Sequence, residues 1–319
     1  MNLKNIKVSI ICVTYNHEKY IREALDSIVM QETNFDFEVL IGEDCSSDGT
    51  REILKEYEDR YPGLFRMFYR DVNMGASKNE YELFMAARGE YIAALELDDK
   101  WTDSKKLQKQ YDFLETHKEY IGVAHDFDII DKYGVVIENS DNMLIKNFFE
   151  QKFTFVDFME YGFIFQTGTH FYRNIYRDGD DYSVVYKAHT LIRDLTILSI
   201  LLSRGDFYII TDNMSAYRRF FDKNAVNGRN IIALDKPASY YDTARQLEVI
   251  NKYLNGKVDL SPKWSTEIFD YFKALFKREK CGYKFTVFMG MYLRSSKFTK
   301  RKVNKKIISS VKRKFLRKI

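Results

Sequence analysis

Over residues 8–124, short β-rich apolar runs alternate with longer stretches in which apolar positions recur every three or four residues, and few architectures accept that order. Residues 8–13 form a run suited to a strand buried on both faces. Residues 18–31 follow with Ile21, Leu25, Ile28 and Val29 at helical spacing. A second pair comprises a strand at 37–41 and a helix at 50–61, with Ile53, Leu54 and Tyr57 inward and Asp48 and Thr50 as its caps. The pattern continues with strands at 64–69, 91–95 and 121–124 and helices at 79–87 and 104–117. Such alternation predicts an α/β fold with a mostly parallel sheet covered by helices.

The second half is less regular. Residues 148–165 are rich in aromatics, 190–203 are amphipathic and helical, and 207–210 suit a strand. Residues 231–293 read mainly as helix, with Leu247, Ile250 and Leu254 in one stripe. Three cysteines without a CxxC pair argue against a disulfide framework or a zinc knuckle and favour a reducing compartment. No run approaches the roughly 18 to 20 apolar residues needed to span a bilayer, and the first one is too short for a signal-peptide core. A cytoplasmic protein is expected.

The net charge of +4 conceals a division. Residues 294–319 hold twelve Lys or Arg and no acid, leaving 38 basic against 46 acidic side chains elsewhere. The acidic body lacks a basic face, and no RNA-binding signature is present, which excludes a nucleic-acid partner. In the tail, Val303, Ile307, Val311 and Phe315 recur at helical spacing among the basic residues. An amphipathic helix on the anionic inner face of a membrane is one reading, and a solvated basic terminus is the other.

Ligands of open α/β sheets bind beyond the carboxyl ends of the strands. Three polar clusters fall there: Thr14, Tyr15 and Asn16; Glu43 and Asp44; and Glu96, Asp98 and Asp99. In the run ALELDDKW (residues 94–101), three carboxylates within four positions repel one another unless a cation or solvent intervenes. Mg²⁺ and Mn²⁺ take hard oxygen ligands of this kind together with substrate phosphates. The competing reading is an acidic turn capping the next helix. No GxGxxG follows the first strand and no GxxxxGK[ST] occurs, so the common dinucleotide and P-loop cradles are absent.

The segments VSIICVTYNHEKYIREALDSIVMQ, FEVLIGEDCSSDGT, NMGASKN and ARGEYIAALELDDKWTDSKKLQKQ, in this order over about residues 6–120, resemble the family 2 glycosyltransferases. That resemblance implies the GT-A fold, a Rossmann-like nucleotide-sugar-binding sheet, here with a helical C-terminal extension. It also implies a nucleotide-sugar donor (usually a UDP-sugar), a Mn²⁺ or Mg²⁺ ion, inversion at the anomeric carbon, and a carbohydrate or lipid-linked acceptor. Thr14, Tyr15 and Asn16 match the loop around the nucleotide base, and Asp44 the carboxylate that accepts a hydrogen bond from uracil. Glu96 and Asp98 match the ends of the family's D-x-D motif, with Glu in place of the first Asp and Leu97 between them. Asp98 is the expected metal ligand. Lys78 matches a polar position near the donor, where a lysine can bind phosphate or simply open a solvated helix.

An inverting transfer needs a base for the acceptor hydroxyl, and Asp194 at the start of an apolar helix matches its place. An ordinary carboxylate complementing the helix dipole is the alternative reading there, and Asp180 and Asp181 are weaker candidates. Asp99, Trp101 and His170 fall where relatives approach the acceptor. Arg218 and Arg219 could neutralise a leaving diphosphate, whereas Phe221 stands near an expected histidine. His17, His117 and His125 read as structural or exposed. The domains implied are 1–225 (donor half 1–130, acceptor half 131–225), a helical extension at 226–293 and a basic tail at 294–319. Two other functions compete: a degenerate binder of nucleotide or glycan, and a nucleotidyltransferase. Nucleotidyltransferases usually carry glycine in the loop that here reads TYNHEKY.

Overall fold

In the computed structural model, which describes residues 5–137, 143–220, 236–276, 285–295 and 297–316, the first apolar run becomes β1 (Ile6–Thr14) near the centre of a nine-stranded sheet. Val8, Ile10, Ile11 and Cys12 are at most 1% exposed, as a strand covered by helices on both faces requires. The helix α1 (Ile21–Val29) follows, burying Ile21, Leu25 and Ile28. Next come β2 (Asp36–Glu43), α2 (Thr50–Arg60), β3 (Phe65–Tyr69), α3 (Ala76–Ala86) and β4 (Tyr91–Ala94). Strands β3, β2, β1 and β4 lie side by side and parallel. Thr14 is opposite Glu43 and Ile11 opposite Ala94, so the chain leaves all three central strands on one edge.

The remainder of this unit is β5 (Lys100–Trp101), α4 (Lys106–Thr116), β6 (Gly122–Ile130), α5 (Met143–Lys146), β7 (Gln151–Phe153) and α6 (Phe155–Tyr161), followed by β8 (Phe171–Arg173), α7 (Val184–Lys187), α8 (Asp194–Leu202) and β9 (Phe207–Arg218). Here the sheet departs from the expected parallel order. β8 inserts antiparallel between β4 and β6, while β9 pairs parallel with β6 and antiparallel with β5 and β7. β9 is twelve residues long, far beyond the four read as strand, because register shifts after His125 let its polar middle continue along β6. Asp48, expected as a cap of α2, accepts from the backbone N–H of Thr50 at 3.1 Å and from that of Glu18 at 3.1 Å.

Two compact units divide the chain, Met1–Phe221 and Asp222–Ile319. The second contains α9 (Lys236–Leu254), α10 (Ser261–Phe276), α11 (Phe285–Arg294) and α12 (Lys297–Leu316), of which α10 packs against the other three. Leu247, Ile250 and Leu254 are buried, as their stripe predicts. The basic helix differs from its expected lipid-facing form: Val303 is fully buried in this unit, and Lys306 Nζ donates to Thr266 Oγ1 at 2.7 Å. Ile308 is 56% exposed, while the side chains of Val311 and Phe315 lie outside the described residues. Phe221 lies outside them as well. Among the described residues, no helix is long and apolar enough to cross a membrane.

Candidate active site

The loops leaving β1 and β2 are tied together. Asn16 adopts a left-handed conformation, φ 58°, which asparagine tolerates better than most residues. Its backbone N–H reaches Ser46 Oγ at 3.0 Å and its Oδ1 accepts from Ser47 N at 2.8 Å. Thr14 is buried and its carbonyl accepts from Asp44 N at 3.0 Å, whereas Tyr15 is 44% exposed. Asp44, buried at the end of β2, accepts from Met74 N at 2.8 Å and from Gly75 N at 3.0 Å. Each oxygen retains acceptor capacity beyond those bonds. Gly75, with φ 82°, gives the chain a turn that side-chain-bearing residues rarely adopt, and α3 starts immediately after it.

The acidic loop follows β4, with Asp99 N closing a turn on Glu96 O at 2.9 Å. Glu96, Asp98 and Asp99 each present a carboxylate oxygen within 4.8 Å of the others. Burial raises the pKa of Asp98 and the charge of Glu96 adds to it, with His17 and Arg218 opposing. Burial followed by the charges of Asp98 and Glu96 raises Asp99 well above the usual carboxylate range. Three hard oxygen donors that destabilise one another's charge fit a divalent cation. His17, expected to be structural or exposed, is half-buried, and it opposes the rise of Asp98.

Asp194 begins α8 with its side chain exposed. Desolvation at the helix start raises its pKa, the charge of Arg193 opposes that and the charge of Glu96 adds to it, so base candidate and acidic loop share one electrostatic environment. Arg193, to which the sequence assigned no role, joins them. It is 5% exposed, donates through Nε to Glu80 on α3, and through Nη2 to Glu96 Oε1 at 2.7 Å. A carboxylate on the buried face of α3, one turn from Ser77, was the available signal for such a partner. The weaker base candidates serve elsewhere: Asp180 pairs with Arg204 at 2.8 Å, and Asp181 accepts from Ser183 N at 2.8 Å.

Five expected ligand contacts need correction. Leu97 is fully buried, its side chain packed into the core. Trp101 is 2% exposed, donates Nε1–H to Gly168 O at 2.9 Å and carries the buried Lys106 Nζ 4.2 Å from its ring centroid. It braces the turn at Gly168 and is closed to an acceptor. Asp99 is 4% exposed and accepts the backbone N–H of Arg218 at 2.6 Å. Arg218, 2% exposed, donates to Asp98 O at 2.8 Å, Asp131 O at 3.0 Å and Glu23 Oε2 at 3.2 Å, and so ties the acidic loop to the end of β6 and to α1. His170 packs against Phe165, Tyr172 and Phe207, and burial, with the charge of Lys106 adding, lowers its pKa to about 3. Lys78 is exposed and, among the described residues, has no ion pair or hydrogen bond, while its neighbours Ser77, Asn79 and Glu80 are buried. Arg219 donates its backbone N–H to Ile130 O at 2.8 Å.

Comparison with known proteins identifies the family and the fold. The sequence matches "Glycosyl transferase family 2" over residues 9–180, more than half of the chain. It is 46% identical over 127 residues to an uncharacterized protein of Mycobacterium tuberculosis, covering 40% of this chain and 37% of that one. It is 37% identical over 107 residues to the putative teichuronic acid biosynthesis glycosyltransferase TuaG of Bacillus subtilis, covering 34% of this chain and 41% of that one. The chain therefore spans about two fifths of the length of these relatives. Among solved structures, S. aureus TarS 1-349 in complex with UDP-GlcNAc aligns with a TM-score of 0.57 at 18% identity, covering 93% of this chain and 78% of that one. The mannosyltransferase PcManGT of Pyrobaculum calidifontis, in complex with GDP-Man and Mn²⁺, aligns with a TM-score of 0.50 at 14% identity, covering 95% and 84%. These likenesses identify the fold, and the family match identifies the lineage: the chain is a member of glycosyl transferase family 2 with a GT-A fold.

Proposed function

We propose that the protein is an inverting glycosyltransferase that moves a sugar from a nucleoside diphosphate, in first place UDP, to a hydroxyl of a carbohydrate or lipid-linked acceptor in surface polysaccharide or glycolipid synthesis. One observation carries this reading: Arg193 joins the helix that Asp194 opens to an acidic loop at the sheet edge where β1, β2 and β4 end. The names of relatives support the substrate class. One is TuaG, and another is the poly(ribitol-phosphate) beta-glucosyltransferase of Bacillus spizizenii, 33% identical over 120 residues and covering 36% of this chain and 18% of that one.

In this reading Thr14, Tyr15, Asn16 and Asp44 bind the nucleotide, with a free acceptor lone pair of Asp44 taking the uracil N–H. Asp98, with Glu96 and Asp99 beside it, would hold Mg²⁺ or Mn²⁺. The ion, when bound, neutralises charge gathering on the departing diphosphate. Asp194 accepts the acceptor hydroxyl's proton as the new oxygen–carbon bond forms and the bond from the anomeric carbon to the diphosphate oxygen breaks. A carboxylate with a raised pKa is the stronger base, and the anomeric carbon inverts because the acceptor attacks opposite the leaving group. The donor-binding half is assigned to residues 1–130 and the acceptor half to 131–225.

The decisive experiment is a panel of nucleotide sugars assayed for nucleoside diphosphate release, with a hydroxyl acceptor, with Mg²⁺ or Mn²⁺ and with EDTA. Release from a UDP-sugar that requires both metal and acceptor is expected. Tight UDP binding with no release from any donor would favour a non-catalytic binder.

A further inference from the structure

We propose that Arg193 is a positioning residue for the transfer, setting Glu96 on one side and delivering Asp194 on the other; the inference rests on the transferase reading above. Its guanidinium lies between two carboxylates from distant segments, Glu80 on α3 and Glu96 after β4. Glu80, 3% exposed, is already a sufficient counter-charge for a buried arginine. Glu96 is different: its side chain is 32% exposed and water is available to it. Its bond to Arg193 therefore chiefly restricts where that carboxylate points. A planar guanidinium holds its partners in fixed mutual orientation, which an ammonium does not. The longer glutamate reaches Arg193 and still offers an oxygen within 4.8 Å of Asp98 and Asp99.

The other side of the device is the chain itself. Arg193 directly precedes Asp194, and the turn that leads to both is fastened twice. His189 Nδ1 accepts the N–H groups of Leu191 at 3.0 Å and Ile192 at 2.9 Å. Thr190 O accepts Ser77 N at 3.1 Å, at the start of α3. Ser77 is two residues beyond Gly75, whose N–H is bound by Asp44. Hydrogen bonds joined by short chain segments thus connect the nucleotide-side carboxylate Asp44, the turn at 189–192, Arg193 and the acidic loop. Groups that must act on one sugar from opposite sides are referenced to one guanidinium.

The test uses the full chain carrying Arg193→Met together with Glu80→Gln, and separately Arg193→Lys. The double variant removes both charges of the buried pair, so no buried charge is left uncompensated and the local net charge is kept. Because the net charge is kept, a change in cation affinity reports chiefly the loss of the bond that Arg193 makes to Glu96. Melting temperature, UDP affinity, Mn²⁺ affinity without donor, and the separate kcat and KM of transfer are measured. The expected result is a folded protein with UDP affinity within about threefold of wild type and Mn²⁺ binding about 10-fold to 100-fold weaker. Transfer should show kcat lowered about 10²-fold with donor KM little changed. Arg193→Lys, which keeps the charge and loses the fork, should fall between the two. Wild-type kcat and Mn²⁺ affinity in a folded double variant would overturn the proposal and leave Arg193 a purely structural ion pair. If the double variant does not fold, Arg193→Lys decides: unchanged kcat and Mn²⁺ affinity there overturn it equally. Should the wild type turn over no donor while the variant still loses Mn²⁺ affinity, the transferase reading falls, and Arg193 keeps only its hold on Glu96 in the cation site.

Discussion

At the scale of single residues, the two key carboxylates call for opposite mutational signatures. Asp194→Asn keeps size and much of the hydrogen bonding but cannot take a proton, so transfer should fall roughly 10²-fold to 10⁴-fold with donor affinity nearly unchanged. Because its surroundings hold Asp194 above the usual aspartate value, wild-type kcat/KM should rise with pH through a limb above about 3.9. The residual activity of the variant should lack that limb, and a pH–rate series of both proteins checks this. Burial raises the pKa of Asp98, with the charge of Glu96 adding and His17 and Arg218 opposing. A group whose folded pKa is raised opposes folding once pH exceeds its unfolded value, so Asp98→Asn should keep or raise the melting temperature of metal-free protein at neutral pH. Donor turnover should nevertheless be lost, at a cost of several kcal/mol in transition-state stabilisation. Calorimetry with a parallel turnover assay separates the two effects, and near-normal turnover would remove Asp98 from the site. The position of Asp98 was legible because it follows a strand end, which fixes where a residue lies, whereas Asp194 opens a helix and was placed by the resemblance. Directions of their neighbours were not legible. Leu97 and Trp101 belong to the same short run, yet the turn sends both side chains into the core. Arg218 and Glu80 lie 120 and 113 residues from the groups they hold, beyond the reach of any local pattern.

At the scale of elements, the central strands are tied together, at the edge opposite the site, by the buried carboxylate of Glu38 in β2. It accepts from Ser9 Oγ on β1 at 2.7 Å, from Arg66 on β3 at 2.8 Å, and from the backbone and side chain of Arg88 just before β4. Glu38→Ala would leave the Ser9 O–H without its acceptor, although the same oxygen still accepts from Gly89 N at 2.8 Å, and Arg66 and Arg88 are 33% and 51% exposed and can rehydrate. The loss should therefore sit near or below the lower end of the range for broken buried pairs, about 2–3 kcal/mol. Denaturant unfolding measures it, and UDP affinity of the folded fraction should be unchanged, since Glu38 lies at the strand starts. The same element scale shows what periodicity reveals. The strands β1 to β4 were legible because parallel strands under helices must be apolar throughout. β5 has only two residues, and the insertion of β8 between β4 and β6 is a pairing choice made by segments far apart in sequence. Neither leaves a local signature, and the polar stretch Thr211 to Asn213 hid the continuation of β9.

At the scale of the whole molecule, the division of charge is the feature most open to a physical test of location. The fold unit is acidic, whereas residues 294–319 carry twelve basic side chains, and an acceptor borne on a membrane lipid would make an anionic surface a useful place to work. Anionic lipid attracts such segments at about 1 kcal/mol per basic residue near the surface. The packing of α12 changes how this should be tested. Val303 is buried in the second unit, so deleting the helix would expose core and confound any loss of binding. Exposed Arg301 and Lys305 can instead be changed to Gln together, and exposed Ile308 to Ser in a second protein. If α12 lies on the membrane, cosedimentation with anionic vesicles should weaken with salt and with loss of the two charges. It should weaken further with loss of the isoleucine, because an inserted apolar group adds burial that a purely electrostatic contact lacks. Binding that falls with the charges but ignores Ile308→Ser would describe a solvated basic segment held only by its field. Binding indifferent to all three positions would place any membrane contact on another surface.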